Sequence, residues 1–141
     1  MTKKLAIIGN GTAGVISAAY FHRWTDWDID WYYDPNIPTA AVGEGATLVL
    51  ANLLYECVQF NHYKLPEIDG ALKLGVLKKG WGDGHEFFHS FQGSVAGYHF
   101  NAKAVQKYIF DKLSPSKRIT IKQLSDRQNM SPAWEEGGNK Q

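Results

Sequence analysis

The sequence predicts an α/β fold of the doubly wound kind, with its front part present, on three observations. Leu5–Ile8 is an unbroken apolar run without alternation, as a parallel strand covered on both faces requires. After it, Val15, Ile16, Ala19 and Tyr20 recur at helical spacing as far as Trp24. Between the two lies Gly9-Asn10-Gly11-Thr12-Ala13-Gly14, with glycine at the first, third and sixth positions of a strand-to-helix junction.

Each of those glycines has its own physical task in a Rossmann-like fold. Gly9 permits the tight turn, Gly11 leaves bare backbone for a pyrophosphate, and Gly14 lets helix and strand approach closely. The unpaired amides at the start of the helix, those of Thr12, Ala13 and Gly14, then face the anion. Thr25-Asp26 ends the helix, and Trp27–Tyr33 reads as a second strand followed by Asp34, 20 residues after Gly14. A carboxylate there can hold a ribose through its hydroxyls. Asp before Pro35 is also a common opener of turns. The spacing leaves NAD and FAD open, because one cradle serves both.

Further along, Gly43 and Gly45 flank Glu44 ahead of an apolar helical run from about Thr47. This reads either as a flexible loop or as an excursion toward a cofactor larger than a simple dinucleotide. Residues 71–81 alternate as a strand and carry Lys73 among apolar neighbours; a lysine there commonly sits on a solvated face with its stem against apolar surface. Asn101 suits the N-cap of a helix over 101–113, and 118–122 reads as a third strand. In the strand order 3-2-1-4, residues 5–8 would be central; with no fourth strand legible, their apolar edge stays open. From Gln123 the chain is polar and aperiodic. The expected division is a partial dinucleotide-binding domain over 1–122 and a disordered tail over 123–141.

Composition narrows the function. The 15 basic and 14 acidic residues are mixed along the chain, giving no electrostatic footprint for nucleic acid or an anionic membrane. The run after Lys3 and Lys4 stops after four apolar residues, short of the roughly 7 to 15 of a secretory core. No stretch approaches the roughly 20 apolar residues of a membrane span. Cys57, the sole cysteine, lies in an apolar stretch as an inert buried thiol and fits a reducing, cytoplasmic setting.

One motif points elsewhere. His85-Glu86-Phe87-Phe88-His89 is literally H-E-x-x-H, the pattern of a zinc hydrolase. That chemistry needs a helix to bring both histidines to one face, whereas Gly82, Gly84 and Gly93 bracket an aromatic segment that favours strand or loop. No third ligand is well placed, and no metal is expected. His22, His62 and His99 read as ordinary surface or packed histidines.

Taken in order, the segments resemble the flavin-dependent tryptophan halogenases. "IIGNGTAGVISAAY" is similar to that family's opening cradle, "VGEGAT" to its Val-Gly-Glu-Ala-Thr segment with one glycine inserted, and "LKLGVLKKGW" to the strand bearing its essential lysine. "HEFFHSF" and "YHFNAKAVQKYI" follow at similar spacing, so the resemblance covers roughly residues 4 to 122. It implies FAD as cofactor, reduced by a separate flavin reductase, with oxygen and halide as co-substrates that yield a hypohalous acid. Lys73 would meet that acid, as a haloamine or by hydrogen bonding, and direct it to an electron-rich tryptophan- or indole-like ring. Gly9, Gly11, Thr12, Ala13, Gly14 and Asp34 would hold the ADP half, and Gly43-Glu44 would lie near the flavin. The later family segments do not follow here, so a premature stop or frameshift is expected, with the chain alone inactive. An NAD(P)- or FAD-linked oxidoreductase or monooxygenase fragment is the alternative, and a zinc hydrolase through His85, Glu86 and His89 a remote one.

Overall fold

Two three-stranded sheets and a separate hairpin, joined by three helices, make up the described residues, 2–38, 43–91 and 96–124, of the computed structural model. The first sheet is parallel and is built from β1 (Lys4–Ile8), β2 (Asp28–Tyr33) and β8 (Ile119–Gln123) in the order β1-β2-β8. Lys4 pairs with Asp28 and Ile8 with Tyr32 along one side of β2, while Ile29 pairs with Ile119 and Tyr33 with Gln123 along the other. The central strand is therefore β2. β1 lies at an edge among the described residues, with Ile8 77% exposed, as the open 3-2-1 order implies.

α1 (Thr12–Trp24) follows β1 directly and buries Val15, Ala18 and Ala19. It ends where the sequence suggested: Thr25 N–H and Oγ1 both bond Phe21 O, closing the last turn. α3 (Ala102–Leu113) packs beside α1 and leads into β8. Its start is capped as expected, with Asn101 Oδ1 accepting from the amides of Lys103 and Ala104, which satisfies two otherwise orphaned donors.

The second sheet is antiparallel, in the order β3-β7-β4, from β3 (Gly43–Gly45), β4 (Ala71–Lys73) and β7 (Gly97–Asn101). Gly43-Glu44-Gly45 is thus a short paired strand, against the loop reading. α2 (Leu48–Val58) and a 3-10 helix over His62–Ile68 connect β3 to β4. The strand predicted across 71–81 is broken at Leu74: β4 pairs with β7, while β5 (Gly75–Trp81) turns away to pair with β6 (His85–Ser90). Gly75 lies too close to the facing strand for any side chain, since a β-carbon there would come within 2.5 Å of His89 O. That hairpin stands out from the body with Leu77, Trp81, Phe87 and Phe88 exposed. The expected tail lies outside the described residues, apart from Gln123 at the end of β8 and Leu124.

One core holds both sheets together. Ile7, Val15, Ile29, Trp31, Leu54, Phe60, Tyr98, Phe100, Val105 and Ile109 belong to a single apolar cluster, and each large aliphatic side chain so buried contributes about 1.5–3 kcal/mol. Cys57 is half-buried rather than fully buried, and burial pushes its thiol up.

The end of α1 and the approach to β8 meet at Arg118. Its guanidinium donates to His22 O at 2.6 Å and Thr25 O at 2.7 Å, pinning β8 to the last turn of α1, while His22 Nε2 pairs with Ser116 Oγ at 2.8 Å. Burial, then the Arg118 charge, lowers the His22 pKa from its ordinary 6.5. The unfolded chain then binds the proton more readily, so this stability is present above about pH 6.5 and is lost as pH falls toward the folded value. Urea denaturation at pH 7.5 and 5.5 is expected to show the loss, and His22→Gln to reduce it.

Candidate functional site

The first turn of α1 presents its leading backbone amides at the positive end of the helix, an arrangement that favours an anion. Gly9 adopts φ +106°, a conformation open to glycine, and reverses the chain after β1. Its N–H donates to Tyr32 O at 2.7 Å, and its carbonyl accepts from the indole Nε1 of Trp31 at 2.9 Å. Trp31 is 1% exposed, so the turn is fastened to the core of β2. A β-carbon on Gly14 would stand 2.2 Å from Gly9 O, so helix and strand touch there backbone to backbone. A β-carbon on Gly11 would meet nothing within 4 Å. The first intrahelical bond is Val15 N–H to Gly11 O, at 3.1 Å; the amides of Thr12, Ala13 and Gly14 precede it at the positive end of the helix.

Beside this turn lies a cavity of about 340 Å³. Asn10, Tyr33 and the α3 residues Lys103, Gln106 and Lys107 are among its lining, so the chamber is walled by the turn, the end of β2 and a helix carrying two cations. Asp34 follows Tyr33, and its Oδ1 accepts from Asn36 N–H at 2.9 Å. The turn-opening role foreseen for Asp34 is therefore in place, and it engages one carboxylate oxygen.

Thr12 and Glu44, distant in sequence, are brought together: Thr12 Oγ1 donates to Glu44 Oε1 at 2.9 Å. Gln106 Nε2 in turn donates to Thr12 Oγ1 at 3.2 Å. Sequence reasoning missed Gln106 and Trp31. The signal for Gln106 was a polar residue on the apolar stripe Ala102, Val105, Ile109 and Leu113 of α3; for Trp31 no comparable signal existed.

Lys73 belongs to a different surface. It pairs with Gly97, while Gly45 and Ala71 flank His99 on either side of β7. Strand alternation places all five on one face of the sheet, opposite the face that carries Glu44, Tyr98 and Phe100. A β-carbon on Gly45 would stand 3.1 Å from His99 Cε1 and 3.5 Å from Lys73 Nζ, so the histidine ring and the amine gather over that glycine. Lys73 Nζ also sits 5.9 Å from the centre of the Phe91 ring. The cradle with Glu44 and the lysine with His99 thus occupy opposite faces of β3-β7-β4.

His85 and His89 fall on strand β6, where four residues span roughly 13 Å. They cannot close on one metal ion within the chain. Among the described residues no cluster of three or more His, Cys, Asp or Glu could hold a metal, and no helix is long and apolar enough to cross a membrane.

No curated protein sequence matches the chain. Solved structures do. Xcc4156, a flavin-dependent halogenase from Xanthomonas campestris, is similar at a TM-score of 0.74 and 15% identity, over 87% of this chain and 35% of that one. A tryptophan halogenase from Shewanella frigidimarina gives 0.70 and 15%, over 86% and 36%. Tar14, a tryptophan C-6 flavin-dependent halogenase from taromycin biosynthesis, gives 0.71 and 19%, over 86% and 36%. The chain therefore spans about a third of the length of the solved chains it matches. At these identities the likeness establishes the α/β fold, incomplete relative to theirs. The sequence profile described as tryptophan halogenase matches residues 4–133, and with the glycine cradle at one sheet and the lysine strand at the other, the chain belongs to the tryptophan halogenase family.

Proposed function

We propose that this chain is the FAD-binding front portion of a flavin-dependent halogenase, with Lys73 as its halogen-handling amine. The observation that carries the reading is the bare, amide-lined turn at Gly11 opening beside a cavity large enough for part of a nucleotide, within a chain of this family. These residues fit the ADP half of FAD. The amides of Thr12, Ala13 and Gly14 would hold the diphosphate, with Gly9 and Gly11 clearing its path, and the carboxylate oxygen of Asp34 not engaged by Asn36 would hold a ribose hydroxyl. Gly43 and Glu44 would lie toward the flavin ring.

When bound and reduced by a separate flavin reductase, FAD supplies the electrons with which oxygen is activated toward halide. Lys73 acts on the other side of the sheet. Its neutral amine either takes the halogen from the hypohalous acid, the nitrogen–halogen bond forming as the halogen–oxygen bond breaks and the amine proton leaving with the hydroxide as water, or it donates a hydrogen bond to the oxygen of the acid, orienting it toward an electron-rich aromatic ring of the tryptophan or indole class. The separation of the two faces supports this division, with Glu44 on one and Lys73 and His99 on the other.

Fluorescence titration of the 141-residue chain tests the reading: FAD is expected to bind saturably though weakly, and NAD not to displace it. Tighter binding of NAD than of FAD would favour the nicotinamide-linked alternative and overturn the proposal. With reductase, halide and indole, the isolated chain is expected to give no halogenated product.

A further inference from the structure

Gln106 is the single polar residue buried with the core among the described residues, 8% exposed on the apolar stripe of α3. The hydrogen bonds it starts run in one direction only. A threonine hydroxyl carries one proton, and Glu44 Oε1 receives it from Thr12 at 2.9 Å. Were the Gln106 amide turned over, its oxygen would compete with Glu44 for that proton. Nε2 therefore faces Thr12, occupies a lone pair of the hydroxyl at 3.2 Å, and commits the proton to Glu44. No buried side-chain polar atom among the described residues is left without a partner, consistent with this assignment. Gln106 also lines the cavity with Asn10 and Tyr33. One residue thus forms part of the nucleotide chamber and, through one hydroxyl, aims a carboxylate on the neighbouring sheet.

We propose that Gln106 is a positioning residue: through the Thr12 hydroxyl it fixes the Glu44 carboxylate beside the bound nucleotide. The identity of the ligand rests on the flavin reading; the relay itself belongs to the ligand-free chain and is testable there. Without the amide, the Thr12 hydroxyl is no longer held in one orientation, and Glu44 loses its fixed donor. The ligand site then meets a carboxylate of variable position.

The experiment uses the whole 141-residue chain with ¹³C at the glutamate side-chain carboxyls, the Glu44 resonance being assigned by its loss in Glu44→Gln. In the ligand-free chain, Gln106→Leu is expected to move that resonance, and to leave it unmoved when Thr12→Val has already removed the hydroxyl. In FAD titrations, Gln106→Leu and Glu44→Gln are each expected to weaken binding about tenfold, and the double variant no more than either alone, because all three residues act through one relay. A purely structural role would give additive losses. Gln106→Met supplies the same readouts should leucine prevent folding. A Glu44 resonance indifferent to both substitutions, or additive FAD losses, overturns the proposal. A moved resonance in a chain that binds neither FAD nor ADP overturns the flavin reading instead, and supports the relay.

Discussion

Gly14→Ala is expected to lower the melting temperature of the chain by about 10 °C, equivalent to about 3 kcal/mol of lost stability. The atom met by the new methyl is Gly9 O, at 2.2 Å, and it is backbone that Trp31 Nε1 also holds. No side chain can swing away to make room. Relief requires α1 to lift from β1, which draws Val15 and Ala18 out of the cluster they share with Ile7 and Ile29 and loosens the core that joins the two sheets. Differential scanning calorimetry reads the change directly. A melting temperature within a degree of the unsubstituted chain would mean that helix and strand are not in backbone contact at this point.

Gly11→Val is expected to do the opposite: to leave melting within a few degrees while weakening FAD and ADP at least about 100-fold, or about 2.7 kcal/mol. Gly11 has φ −64° and ψ 175°, ordinary extended backbone, and a β-carbon there touches nothing within 4 Å. Its side chain would project into the space a diphosphate needs, so the whole penalty falls on the ligand. Two glycines three residues apart in one motif thus report separately on stability and binding. If valine at Gly11 left ADP affinity intact, the anion would have to bind elsewhere.

Local rules made the parallel sheet and the helices beside it legible. The apolar run of β1, the glycine turn, the helical period of α1, the Asn101 cap and the strand read at 118–122, found at 119–123, each follow from a few adjacent residues. Partnering was not legible in the same way. That 71–81 divides at Leu74 depends on where β7 and β6 lie, and alternation continues across the break without a mark. β7 itself, "GYHFN", has its pattern only once β3 and β4 are known to flank it. The candidate site shows the same division. Gly9, Gly11 and Gly14 announce themselves by spacing, whereas the Thr12–Glu44 contact and the gathering of His99 with Lys73 over Gly45 depend on how distant segments pack. The H-E-x-x-H string shows the converse: a local pattern whose meaning depends on a helix that its aromatic content does not form.

The parallel sheet places β2 between two strands from opposite ends of the sequence, β1 immediately before it and β8 about ninety residues later. During synthesis on the ribosome, β1, α1 and β2 can emerge and pair early, yet one side of Ile29–Tyr33 waits for residues 119–123, and the end of α1 waits for Arg118. Contacts so far apart in the chain are slow to form and leave strand edges exposed to neighbouring nascent chains. Truncation even a few residues before Arg118 is therefore expected to convert a folding chain into an aggregating one.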